Sequence, residues 1–314
     1  MISRRLIRIK VLQILYAYTK KSEGFSSIAA EKELFHSIEK FYDLYLMLLL
    51  LLSELSDMEK LRIELRRNKN IKSAGDEFPC THFVDNAIIH HLGNNRFLNE
   101  LKENRKLNWK AYPDLVKGIY NDFLDTDLYS KYISLDKTDF NTDRKLIVDF
   151  YSEFLAENQL FNDFLEEENI YWNDDIGFAI IMVIKTIESI KPGIPDKKLL
   201  PLFKNEDDRE FARKILRSSI INRADFLKII EKHVENWDTE RIAQLDLLIL
   251  QIAIAELLEF SSIPVKVTLD EFIEISKFYS TERSKIFING LLDKIIKDLK
   301  SQNRLNKTGR GLKE

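Results

Sequence analysis

The stretch Asp-Leu-Leu-Ile-Leu-Gln-Ile-Ala-Ile-Ala-Glu-Leu, residues 246–257, decides the fold class of this chain. Its β-branched residues could belong to a buried strand, but the continuous apolar run is too long for one. Apolar residues recur at helical spacing through and before it, at Ile242, Leu245, Ile249, Ile252 and Leu257. The stretch therefore predicts a buried helix, and Asp238 is placed to cap it.

The residues that follow carry further helix signals. A Ser-Ser-Ile-Pro break ends the buried helix. Thr268 and Glu271 have the spacing of a capping box, which predicts that another helix opens there. Ser280 or Thr281 is placed to cap a last helix over about residues 282–300.

Upstream of the buried helix, apolar residues again recur with helical period, and no segment alternates as a strand does. We predict helices at about 3–20, 27–65 with a polar break near 53–57, 142–167, 174–190 and 206–222, and less regular helices over 83–140. The strongest breaker lies near 191–205. The apolar run Leu44 to Leu52 is far shorter than the ~20 residues of a membrane span, so it predicts a buried helix. The predicted fold class is all-α.

Composition narrows the possible functions. The formal net charge is −3, so nucleic acid could bind only through a local patch. The single cysteine, Cys80, excludes an internal disulfide framework and fits a reducing compartment. The start of the chain lacks the pattern of a secretory signal. We expect a cytoplasmic protein with no membrane segment.

One local patch is the first predicted helix, which carries Arg4, Arg5, Arg8 and Lys10. Arg4 and Arg8 share a helix face, where like charges repel by a few tenths of a kcal/mol. Binding of a polyanion would offset this repulsion. A solvated helix face is the alternative, and these residues alone do not decide between them.

A second unusual feature is Phe287-Ile-Asn-Gly290, because the helical period runs straight through an Asn-Gly pair. Glycine inside a helix costs about 1 kcal/mol relative to alanine. Close packing on a neighbouring helix would explain it, and so would contact with a ligand. In the second case Asn289 would read a base edge and Phe287 would stack on a base.

Catalytic and metal-binding signals are lacking. Cys80, His82, His90 and His91 do not have the paired spacing of a zinc site. The sequence contains no glycine-rich cofactor loop, nucleophile elbow or metalloprotease motif. We predict no enzyme, no cofactor and no metal.

The two ends of the chain resemble the NusB family of transcription antitermination factors. The first helix resembles that family's arginine-rich start with its Q-x-L-Y ending, here Gln13 to Tyr16. Residues 246–257 resemble the R-I-A-x-x-E-L helix, although Gln251 stands where arginine is common. Residues 263–271 resemble P-x-K-V-x-I-N-E, and residues 287–294 resemble F-V-N-G-V-L-D-K.

The resemblance implies NusB-like helical bundles with an additional helical insertion. It divides the chain into residues 1–20, the first helix of the core; 21–205, an enlarged helical middle region and linker; 206–300, the rest of the core; and 301–314, a basic, disordered tail.

The resemblance also implies a function. Members of the family bind boxA of ribosomal RNA operon transcripts together with a NusE-type small-subunit ribosomal protein, within the RNA polymerase antitermination complex. Carried over to this sequence, the RNA-binding residues are Arg4, Arg5, Arg8, Gln244, Gln251, Ser284, Lys285, Phe287 and Asn289. The protein partner would use the helix around 239–257 and the Pro264 segment.

Two alternatives remain open. A protein-interaction scaffold with a NusB-like fold is suggested by Gln251 and by Arg283, which stands where relatives often have an acidic residue. An RNA-binding module related to that of ribosomal RNA methyltransferases is the other, although no cofactor loop accompanies it.

Overall fold

The chain folds as α-helices, which confirms the predicted fold class. The structure is a computed structural model that describes residues 1–20, 26–71, 77–194, 198–234 and 242–312, and no strand occurs among them. In chain order its α-helices are α1 (Arg4–Lys20), α2 (Ser27–Arg67), α3 (Ala87–Gly93), α4 (Arg96–Arg105), α5 (Pro113–Leu124), α6 (Asp127–Ile133), α7 (Phe140–Asp149), α8 (Gln159–Glu168), α9 (Ile176–Ser189), α10 (Glu206–Ile221), α11 (Arg223–His233), α12 (Gln244–Glu259), α13 (Val265–Tyr279) and α14 (Glu282–Ser301). A π-helical turn, Phe150–Phe154, continues α7.

Backbone contacts divide the chain into two units. The terminal unit comprises Ile2–Ile38 and Phe203–Glu314, and the inner unit comprises Met1 and Glu39–Leu202. The division falls inside α2, so residues 26–38 group with the two ends of the chain. The predicted middle region spans residues 21–205, whereas the inner unit, apart from Met1, begins only at Glu39 and ends at Leu202.

Helix α2 is continuous, and the predicted polar break near Ser53 to Asp57 is wrong. The apolar run Leu44 to Leu52 is buried inside the inner unit, as predicted. Large side chains pack along α2 and donate to its carbonyl oxygens: Trp109 Nε1 to Met47 at 2.9 Å, Tyr151 Oη to Leu48 at 2.6 Å and Trp172 Nε1 to Lys40 at 2.8 Å. In the described residues, no helix has the length and apolar content needed to cross a membrane.

In the terminal unit, α12 is the central helix, and α1, α10, α11, α13 and α14 all pack against it. This explains the sequence of α12, whose side chains from Leu248 to Leu257 are all buried. The predicted cap Asp238 lies outside the described residues.

The predicted capping box at Thr268 is wrong, because α13 already begins at Val265, directly after Pro264. Thr268 is buried and donates its hydroxyl proton to Glu256 Oε1 at 2.9 Å. The predicted cap of the last helix is confirmed: Thr281 Oγ1 accepts from the Ser284 amide at 3.1 Å.

The end of the chain returns to the loop between α12 and α13, so the predicted disorder is corrected for residues up to 312. Lys307 Nζ donates to the Phe260 carbonyl at 2.9 Å, and the Thr308 amide donates to the Ser261 carbonyl at 3.0 Å. Gly311 is buried so closely that a Cβ there would lie 1.9 Å from the Ser261 oxygen. Only glycine fits this approach.

Candidate nucleic-acid interface

The three arginines of α1 are all paired with carboxylates of the terminal unit. Arg4 Nε lies 2.8 Å from Asp208 Oδ1. Arg5 holds Glu271 through two bonds of 2.9 Å, from Nε and Nη2. The hydrogen bond to Glu271 also raises the pKa of the Arg5 guanidinium. Both arginine side chains remain 39% exposed, so their remaining N–H groups stay accessible to a phosphate.

Arg8 does not lie on the surface, and its predicted contact with phosphate is corrected. Its side chain is 3% exposed and binds the fully buried Glu256 through two bonds of 2.7 Å. The guanidinium also lies over the rings of Phe211 and Phe272. Arg8 therefore fastens α1 to α12. Lys10 is likewise buried, so neither residue belongs to a solvated cationic face.

The two glutamines of α12 have different positions. Gln251 is buried and donates from Nε2 to the Ser219 carbonyl at 2.6 Å, which corrects its predicted place on an RNA surface. Gln244 lies half-buried at the first position of α12. It donates from Nε2 to Thr19 Oγ1 at 2.5 Å, near the end of α1.

The site residues predicted on α14 lie on two flanks of that helix. At about 100° per residue, Lys285 and Asn289 are about 40° apart around the helix axis, whereas Phe287 and Asn289 are about 160° apart. Asn289 is exposed, and Phe287 and Ser284 are half-buried. Asn289 and Phe287 therefore face different directions, so a base edge bound by Asn289 and a base stacked on Phe287 would belong to different nucleotides.

Gly290 faces open space, because a Cβ added there would meet nothing within 4 Å. Close packing on a neighbouring helix does not explain this glycine. A contact with a ligand remains as the explanation that the sequence had offered.

Arg5 and Lys285, from the two ends of the chain, both lie near Glu274 of α13. Both α1 and α14 pack against α13. A hydrogen bond from Lys277 lowers the pKa of Glu274, and the charges of Arg5 and Lys285 act in the same direction. Glu274 therefore lies within electrostatic reach of a predicted site residue from each end of the chain.

Sequence reasoning missed several residues of this surface. Phe278, at the end of α13, is 78% exposed, and Tyr16 of α1 is 38% exposed. Lys20 Nζ lies 5.4 Å from the centre of the Tyr16 ring. The sequence could have indicated Phe278, because it lies seven residues after Glu271 and four after Glu274. This spacing puts its aromatic ring on the polar face of α13.

These features define a class of helical-bundle protein whose first helix is fastened to α10, α12 and α13 by arginine–carboxylate pairs. The family model described as the NusB family matches residues 185–297. The chain belongs to the NusB family.

Three relatives show how far the likeness extends, each called a transcription antitermination protein NusB. The relative from Salinibacter ruber is 48% identical over 113 residues, which cover 36% of this chain and 71% of the relative. That from Finegoldia magna is 41% identical over 93 residues, covering 30% of this chain and 68% of the relative. That from Chloroherpeton thalassium is 40% identical over 126 residues, covering 40% of this chain but only 58% of the relative. No solved structure matches the chain significantly.

Proposed function

We propose that this protein is an RNA-binding transcription antitermination factor that acts on boxA of ribosomal RNA operon transcripts. In this proposal it works in the cytoplasm with a NusE-type small-subunit ribosomal protein, within the RNA polymerase antitermination complex, and catalyses no reaction. The observation that carries the proposal is the 48% identity to a relative called an antitermination protein.

The proposed RNA surface keeps seven of the nine predicted residues. Arg4, Arg5 and Lys285 would contact phosphates, with Asn289 on the same flank of α14 as Lys285. Ser284 and Phe287 would contribute from the other flank of α14, and Gln244 from the start of α12. Arg8 and Gln251 are withdrawn as RNA contacts because both are buried. Their role is to hold α1 and α10 in place around α12.

Electrostatics supports a modest rather than a strong phosphate affinity. Arg4 and Arg5 already share their charge with Asp208 and Glu271, and Lys285 lies 3.6 Å from Glu282. RNA must compete with these carboxylates, so a protein partner that adds contacts would raise affinity. This is a physical reason for RNA and protein to bind together.

Titration of a boxA RNA at several salt concentrations tests the proposal. Loss of one phosphate contact lowers the log–log salt slope by about 0.7 on single-stranded RNA. Lys285→Ala should show this loss. Lys228→Ala is the matched control, because Lys228 also pairs with a carboxylate three residues away, at 3.3 Å. If boxA RNA binds no better than a scrambled RNA, with or without the ribosomal protein, the proposed function is rejected.

A protein-interaction scaffold is the second candidate. The internal pairing of the three arginines favours it, because it leaves the first helix with little free charge. Capture of the ribosomal protein with no gain in boxA affinity for the pair would select this candidate.

A further inference from the structure

Four residues of α13 form a stripe along one face of that helix. The stripe consists of Val267, Glu271, Glu274 and Phe278. Their spacings of four, three and four residues place their side chains in a row along the helix axis. Val267 is 42% exposed and Phe278 is 78% exposed. In the described part of the terminal unit, Phe278 is the most exposed aromatic side chain.

Cations border this stripe and neutralise its carboxylates. Arg5 binds Glu271 through two hydrogen bonds, and Lys277 donates to Glu274. Lys285 reaches Glu274 electrostatically from α14. Both carboxylates of the stripe are therefore paired with cations, which reduces the repulsion that an approaching anion would meet on this face.

An exposed aromatic ring on a helix face that is bordered by cations suits a particular ligand. Unpaired bases stack on aromatic side chains, and the adjoining phosphates pair with neighbouring lysine and arginine. A purely apolar protein contact would not need the cations that pair with Glu271 and Glu274 on the same helix face. The combination therefore favours single-stranded nucleic acid.

We propose that Phe278 is a base-stacking site for an unpaired base of single-stranded RNA, with Arg5, Lys277 and Lys285 holding the adjoining phosphates. This inference rests on the proposed function and deepens it. It adds Phe278 and Lys277 to the RNA surface and places an aromatic contact on α13, whereas the sequence had placed it on α14.

The test uses the full chain and a boxA RNA carrying 2-aminopurine at successive positions. Phe278→Ala should weaken RNA binding by about 5- to 150-fold, the range found for loss of one stacked base. The salt slope should stay unchanged, because no phosphate contact is lost. The fluorescence change at one labelled position should disappear. Phe278→Tyr, which keeps the ring, should retain both affinity and signal.

Ile221→Ala is the matched control, because Ile221 is 71% exposed and apolar but lies at the end of α10. It should bind RNA as the unmodified protein does. If Phe278→Ala binds boxA RNA as tightly as the unmodified protein does, the inference is overturned and the proposed function stands. The inference is also overturned if Phe278→Ala loses binding to the ribosomal protein but keeps its affinity for RNA, because the ring would then be a protein contact. Failure of the unmodified chain to bind RNA rejects the proposed function, and this inference with it.

Discussion

At the scale of single residues, the ion pair of Arg8 and Glu256 governs how the terminal unit is built. The two residues are 248 positions apart, and their side chains are 3% and 0% exposed. Glu256 also accepts from Thr268, so one carboxylate joins α1, α12 and α13. A buried charge needs such complete pairing, because desolvation otherwise exceeds the Coulomb attraction.

Arg8→Ala should destabilise the protein by about 3–5 kcal/mol, because it leaves Glu256 buried without its counterion. Arg4→Ala should cost less, about 1 kcal/mol, because the Arg4 side chain is 39% exposed and its pair with Asp208 is partly screened by solvent. Denaturant unfolding of both variants measures the difference. Equal, small losses would show that the Arg8 pair is not structural.

At the scale of elements, α14 combines a packed side with an open one. Ile288, Leu291, Leu292 and Ile295 are buried, whereas Asn289 and Gly290 face solvent. Gly290 therefore lowers the stability of the helix, and no close packing against a neighbour compensates for this loss. Such a glycine is explained when another molecule must approach the backbone closely.

Gly290→Ala should stabilise the protein by about 0.5–1 kcal/mol, since alanine has the higher helix propensity and meets no neighbour. If RNA approaches the α14 backbone there, the same variant should also bind boxA RNA more weakly. Thermal unfolding and RNA titration test the two effects separately. Gly311→Ala is a control of opposite sign, because its Cβ would meet the Ser261 backbone oxygen at 1.9 Å. A destabilised Gly290→Ala variant would contradict this account of α14.

At the scale of the whole molecule, charge is divided unevenly along the chain. Residues 111–190 contain 17 Asp and Glu against six Lys and Arg. All of them belong to the inner unit, whereas the proposed RNA surface belongs to the terminal unit. A strongly acidic segment repels phosphate, so it is an unsuitable place for RNA.

Cross-linking of a boxA RNA containing 4-thiouridine should therefore label peptides from α1, α13 and α14. Peptides from residues 111–190 should remain unlabelled. Mass spectrometry of the cross-linked peptides maps the contacts, and a repeat at high salt should remove those that depend on phosphate. Abundant cross-links within 111–190 would mean that the inner unit binds RNA despite its charge.

The sequence alone determined the fold class and the positions of most helices, because helical periodicity and Thr281 capping are local properties. It also identified the family, through motifs at residues 246–257, 263–271 and 287–294. It did not determine the continuity of α2 or the start of α13. Only the tertiary structure decided which cations reach the surface, since burial of Arg8 depends on a carboxylate 248 positions away. It also decided that Thr308 and Gly311 pack against Ser261 and that Phe278 is left exposed. Contacts between distant segments have no periodic signal in sequence, so side-chain exposure cannot be inferred from spacing alone.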